Sequence, residues 1–243
     1  MITLYQLART WDIPNLSHFC VKVETYLRMT RLPYQVTATL PIKAPRGKLP
    51  FIEDDGKKIS DSRLIITYLQ ATYGDTLDAH LSLEEKSIAR AFQRLIEEHL
   101  YWVTMYTRWS YTEANWQTNK QAIFGGLPPG VCDLIAWAYR RRIKSQIKGH
   151  GIGLHSPEEI FALGKEDIIA LATFLGDKAY FMGDRPSSLD ATAFGFLINT
   201  FGCPIESPVK DYALTMDNLK DYCRRMQMEF FPEFPLIIGY PET

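Results

Sequence analysis

The sequence predicts an α/β unit over its first third followed by an all-helical remainder, and three observations carry that expectation. Strand-like and helical patterns alternate up to about residue 75, in the order βαβ and then ββα. Asp54-Asp55-Gly56, set between two short β-favouring runs, is a strong hairpin signal in the second half of that order. Beyond Asp75 the strand-like alternation stops and helix-start signatures recur.

Residues 2–7 alternate around β-favouring types and predict the first strand. The turn-rich segment Trp11 to Asn15 separates it from a helix with Phe19, Val23, Tyr26 and Leu27 on one face. Pro33 to Ala38 reads as a second strand entered from a proline, and Pro41 to Gly47 is loop by composition. Leu49 to Glu53 and Lys57 to Ile59 flank the hairpin turn, and a helix carrying Leu64, Ile65, Tyr68 and Leu69 follows, with Gly74 able to end it. This order is that of a thioredoxin-like unit, although periodicity equally suits other small α/β units.

In the remainder, Ser82-x-x-Glu85 and Ser156-Pro157-x-Glu159 match the capping box, and Ser187-x-x-Asp190 is its shorter-carboxylate relative. A long helix is expected from Ser82 to about Trp109, with Ile88, Phe92, Leu95, His99, Trp102, Tyr106 and Trp109 at three- and four-residue spacing. The run Gly125 to Gly130 breaks the chain, and further helices are expected over 132–147, 157–175, 188–200 and 215–229. The domain division predicted is 1–75 and 82–243.

At 243 residues and 46% hydrophobic, the chain can bury a sizeable core. A formal net charge of −1 argues against nucleic acid as a partner. Cysteines 20, 132, 203 and 223 have neither CxxC nor zinc-ligand spacing, which suits reduced thiols in a cytoplasmic compartment. No secretory signal is expected at Met1 to Tyr5, and the apolar stretch Leu189 to Ile205 contains Asp190, Asn199 and Pro204, against a membrane span. His150 and His155 lack neighbouring ligand types, so no metal is assigned.

Three places can carry chemistry. Ser17-His18-Phe19-Cys20 stands at the hand-over from first strand to first helix, where backbone N–H groups and the helix dipole favour an anion. Ser17 is there either an N-cap or a donor to a bound thiolate, whose pKa it would lower. Cys20 is a candidate low-pKa thiol or a buried core residue, and the apolar neighbours Phe19 and Val23 favour the second. Leu49-Pro50, at the start of a strand, is a candidate cis bond. At the helix after the hairpin, Ser62 and exposed N–H groups suit a carboxylate and Asp61 an ammonium, with plain N-capping as the alternative. The cations Arg140 to Arg142, Lys144 and Lys148 read as a solvated face.

Together, Ser17 to Lys22, Lys48-Leu49-Pro50-Phe51-Ile52 and Asp61-Ser62 resemble the glutathione-binding elements of the glutathione transferase superfamily. Ser17-x-Phe19-Cys20-x-Lys22-x-Glu24, Gly149 to Gly153 and Phe181-Met182-Gly183-Asp184-Arg185-Pro186 are similar to the branch containing metaxins, failed-axon-connections proteins and their bacterial relatives. The resemblance implies the glutathione transferase fold and a cytoplasmic homodimer that joins glutathione, as cosubstrate, to a small apolar electrophile. It implies Ser17 as the thiol-activating residue, with Tyr5 as a rival. Leu49, before a cis-Pro50 and beside Lys48, would meet the cysteinyl backbone, and Asp61-Ser62 would hold the γ-glutamyl group. The electrophile would lie between the domains, with Tyr101, Trp102, Met105, Tyr106 and Trp109 as candidate walls. His18 stands where related transferases often have proline, and Asp61 replaces the commoner Glu or Gln. Two further readings stay open: a non-catalytic interaction protein using the helical surface or the 113–150 segment, and thiol–disulfide exchange through Cys20.

Overall fold

In the computed structural model, which describes residues 1–128 and 130–235, Ile2–Gln6 forms strand β1 with every second residue buried. Helix α1, His18–Met29, follows, and then strand β2, Tyr34–Ala38, pairs parallel to β1. A single 3₁₀ turn, Pro41–Lys43, stands in the segment predicted as loop. Strands β3, Phe51–Asp54, and β4, Lys57–Ser60, add antiparallel pairing and give the sheet order β2-β1-β3-β4. Asp55 and Gly56 both take positive φ, 47° and 74°, the backbone a two-residue type I′ hairpin needs. Helix α2, Ser62–Tyr73, ends at Gly74, whose φ of 93° and ψ of 152° lie in a region open essentially to glycine alone.

The remaining helices are α3 (Leu83–Arg94), α4 (Tyr101–Tyr106), α5 (Glu113–Phe124), α6 (Val131–His150), α7 (Pro157–Leu175), α8 (Ser188–Gly202), α9 (Pro208–Ala213) and α10 (Asp217–Phe230). The long helix expected from Ser82 is therefore interrupted, with π-helical turns at Leu95–Leu100 and Thr107–Tyr111 on either side of α4. The three predicted capping-box starts are built as their sequence requires. Ser82 and Glu85 exchange hydrogen bonds of 2.8 and 3.2 Å, as do Ser156 and Glu159. Asp190 accepts from both the N–H and the hydroxyl of Ser187 at 2.8 Å.

The chain forms two compact units. The first contains Met1–Gln93, Phe174–Cys203 and 217–235; the second contains Arg94–Thr173 and Pro204–Met216. In the first, Ile2 and Leu4 of β1, Ile52 of β3, Val23, Tyr26 and Leu27 of α1, and Ile65, Ile66 and Leu69 of α2 form one core with Ala191 of α8. Helix α1 also lies against α8 so closely that a Cβ on Gly195 would come within 2.8 Å of the His18 carbonyl and 2.9 Å of the Lys22 nitrogen. In the second unit, Trp109 packs its ring on Trp116 and Tyr139, and Arg140 lies over Trp116. Arg140 also donates to the Trp109 carbonyl and to Glu113, which takes it out of the solvated cationic face; Arg141, Arg142, Lys144 and Lys148 remain exposed. Among the described residues no helix is long and apolar enough to cross a membrane.

Candidate active site

Register brings the three candidate segments to one end of the sheet. Tyr5 pairs with Phe51 and Phe51 with Ser60, so the residues just before Phe51 and just after Ser60 flank the carboxyl end of β1. Leu49-Pro50 and Asp61-Ser62 are those residues. Asn15 ties Ser17 to the same place: its side-chain amide donates to the carbonyl of Leu7 at 2.7 Å, while its oxygen accepts from the N–H of Ser17 at 3.0 Å. A sheet end of this kind gathers strand termini and helix starts, hence free N–H groups, around one opening.

Ser17 is the N-cap of α1 and its hydroxyl oxygen accepts from the N–H of Cys20 at 3.4 Å. The two sequence readings of this serine are compatible, because capping uses an oxygen lone pair and leaves the hydroxyl hydrogen for another acceptor. Ser17 is half-buried. Cys20 is 0% exposed, and burial pushes its thiol up to about 12, against the hydrogen bond with Ser17. A thiol so placed is not a thiolate at neutral pH, which removes the basis for exchange chemistry through Cys20. His18 is buried with its ring against Phe196.

The Leu49–Pro50 peptide is cis, with Pro50 buried and Leu49 half-buried, while Lys48 is exposed. Asp61 holds a positive φ of 82° and caps α2, its Oδ1 accepting from the N–H groups of Arg63 and Leu64 at 3.0 and 3.4 Å. A non-glycine residue in that conformation costs of order 1–3 kcal/mol, a cost concentrated at ligand sites. Ser62, the first residue of α2, is buried, and its oxygen accepts from the ammonium of Lys22 at 3.5 Å.

The other candidates have packed or half-exposed surroundings of their own. Tyr5 is stacked on Phe51 and its hydroxyl reaches Glu53 at 3.5 Å, on the sheet face opposite the buried Leu4 and Gln6. In the second unit Trp109 is only 4% exposed and its ring is taken up by Trp116 and Tyr139, so it is packing material there. Tyr106 is half-exposed beside Tyr111 and Phe161. Sequence reasoning does not reach two arrangements. Lys22 and Ser62 lie 40 residues apart, and His99, in a π-helical turn, holds its Nδ1 2.6 Å from Asp167, 68 residues away. Burial raises the Asp167 carboxyl, against the opposing pull of His99.

Comparison with known proteins bears on the family and the fold. Residues 18–115 match the glutathione S-transferase N-terminal domain model and residues 164–226 the C-terminal domain model. An isoprene-epoxide–glutathione S-transferase from Rhodococcus sp. (strain AD45) is 38% identical over 95% of this chain and 99% of its own length. Failed axon connections of Drosophila melanogaster is 34% identical over 96% of this chain and 59% of its own, and metaxin-2 of Mus musculus is 27% identical over 96% and 89%. A glutathione S-transferase of Ceriporiopsis subvermispora, solved in complex with glutathione, shares the fold at a TM-score of 0.62 and 21% identity, covering 100% of this chain and 99% of its own. With both domain models matched and a full-length relative at this identity, the chain belongs to the glutathione S-transferase family, in the branch it shares with failed axon connections and the metaxins.

Proposed function

We propose that the protein binds glutathione at the sheet end of its first unit and transfers the thiolate to a small apolar electrophile. The observation that carries this reading is the convergence of Ser17, cis-Leu49–Pro50 and Asp61-Ser62 at one edge, in the order a γ-glutamyl thiol peptide requires. The γ-glutamyl carboxylate meets the Ser62 hydroxyl at the N-terminus of α2, where the helix dipole also favours it. The cysteinyl backbone runs beside Leu49, and the sulfur faces Ser17. The hydroxyl hydrogen that capping leaves on Ser17 then donates to the sulfur, which favours loss of the thiol proton to solvent and raises the population of nucleophile at neutral pH.

The sulfur forms a bond to an electrophilic carbon as that carbon loses its leaving group. An epoxide is the class suggested by the name of the 38% identical relative: its ring C–O bond breaks and the oxygen takes up a proton. Titration calorimetry with glutathione is the first test. Saturable binding is expected, weakened about tenfold by Ser62→Ala, the loss of one hydrogen bond to a charged group. An unrelated tripeptide should not bind. No heat at millimolar glutathione would remove the transferase reading.

A second reading is favoured by one feature. The first turns of α6 expose Val131, Leu134, Ile135 and Trp137, and exposed Arg141, Arg142 and Lys144 follow. That face suits an acidic protein partner, so a chain that binds no glutathione would be read as a docking module that has kept the fold.

A further inference from the structure

Lys22 is 0% exposed, although it carries an ammonium group. Its backbone is fixed, because α1 presses on α8 at Gly195, where no side chain fits between the helices. From that root the side chain extends to the start of α2, where its Nζ donates to the Ser62 oxygen. Burying an ammonium in place of an apolar side chain is unfavourable, and a methionine would fill similar volume without it. The lysine is therefore an expensive way to pack this position, and among its contacts is the residue that would meet the ligand.

We propose that Lys22 is a positioning residue for recognition of the γ-glutamyl carboxylate, acting through Ser62. A serine hydroxyl has one hydrogen and two lone pairs. With the ammonium donating to one lone pair, the hydrogen is turned away from Lys22 and outward, as a donor to a carboxylate. The same ammonium adds positive charge behind the N-terminus of α2, at a buried position where salt screens it little. The ligand selected is a thiol peptide bearing a free α-carboxylate on its first residue. This inference rests on the glutathione reading above and deepens it by naming the group that sets the specificity.

The test uses the full chain and two probes. Glutathione carries the α-carboxylate, and γ-aminobutyryl-cysteinyl-glycine lacks it while keeping amine, thiol and backbone. Lys22→Met should weaken glutathione binding about tenfold and leave the weaker binding of the analogue unchanged. Lys22→Arg should recover most of the preference. In a Ser62→Ala background, Lys22→Met should cost little more, because both changes disable one contact. Equal glutathione affinity in wild type and Lys22→Met would overturn the proposal, as would parallel losses for both probes, which indicate damage to packing alone. Should Lys22→Met fail to fold, Lys22→Gln and Lys22→Arg decide it: retained preference in the neutral Gln variant sinks the role of the ammonium. A wild type that binds neither probe overturns the glutathione site itself, whereas one that binds both equally overturns only the carboxylate recognition.

Discussion

Two polar clusters on helix α1 are put to opposite uses. In the middle of the helix Glu24 is fully buried and accepts from four donors: Gln6 and Arg9 at 2.7 Å, Arg28 at 3.0 Å and the Tyr34 hydroxyl at 3.1 Å. Arg28 goes on to the carbonyl of Phe230 and to Glu233, and lies over the Phe231 ring, while Arg9 lies over Phe234. Burial and then the charge of Glu24 push the Tyr34 hydroxyl up to about 12. Here polar groups answer one another and hold the segment after α10 against α1. In the other cluster, Ser17 and Ser62 accept hydrogen bonds and keep a hydroxyl hydrogen over. Polar groups spent on each other make structure, and donors held in position with capacity left make a site.

The largest effect that would test this contrast is on the closed cluster. Glu24→Ala leaves two arginines facing a buried vacancy and should cost about 3 kcal/mol or more in denaturant unfolding, with glutathione affinity of the folded fraction retained. A mild loss of stability would mean the cluster is wetter than its burial implies. Next comes the open cluster. Ser17→Ala should lower the conjugation rate about 100-fold and raise the pH at which the bound thiol ionises, because a donor to the sulfur is gone. Its stability should fall only about 1 kcal/mol, the value of an N-cap. If the two losses were reversed in size, Ser17 would be a cap and nothing more.

The smallest effect concerns pH. Glu233 has its carboxyl below the ordinary value of 4.5: burial opposes this, but the hydrogen bond and charge of Arg28 prevail. A carboxyl lowered in the folded state contributes stability that is fully present above 4.5 and is lost as pH falls through the folded-state value. The stability gap between wild type and Glu233→Gln should therefore be full near neutrality and close in acid. Partial exposure keeps that gap below about 1 kcal/mol. A gap that persists unchanged in acid would assign the contact to packing rather than charge.

Local chemistry was legible along the chain because it is decided within a few residues. The Asp55-Gly56 turn, the Ser82–Glu85, Ser156–Glu159 and Ser187–Asp190 caps and the end of α2 at Gly74 each depend on neighbours in sequence. Helix α5 shows the limit. Its buried residues include Asn115 and Asn119 beside Trp116 and Phe124, so it has no clean apolar stripe for periodicity to find. Trp109 shows another, since its spacing suits a pocket wall and a packed core equally.

What the sequence by itself determined is the order of elements in the first third, the helix starts marked by capping boxes and the three segments that meet at the sheet end. Only the tertiary structure decided that Cys20 is sealed from reactivity, that Lys22 reaches Ser62, and that Arg28 joins Glu24 to the segment after α10. The physical reason is range. Capping and turn geometry act over three or four residues, whereas burial, pKa and the choice of hydrogen-bond partner depend on groups that folding brings together from 40 to about 200 positions away.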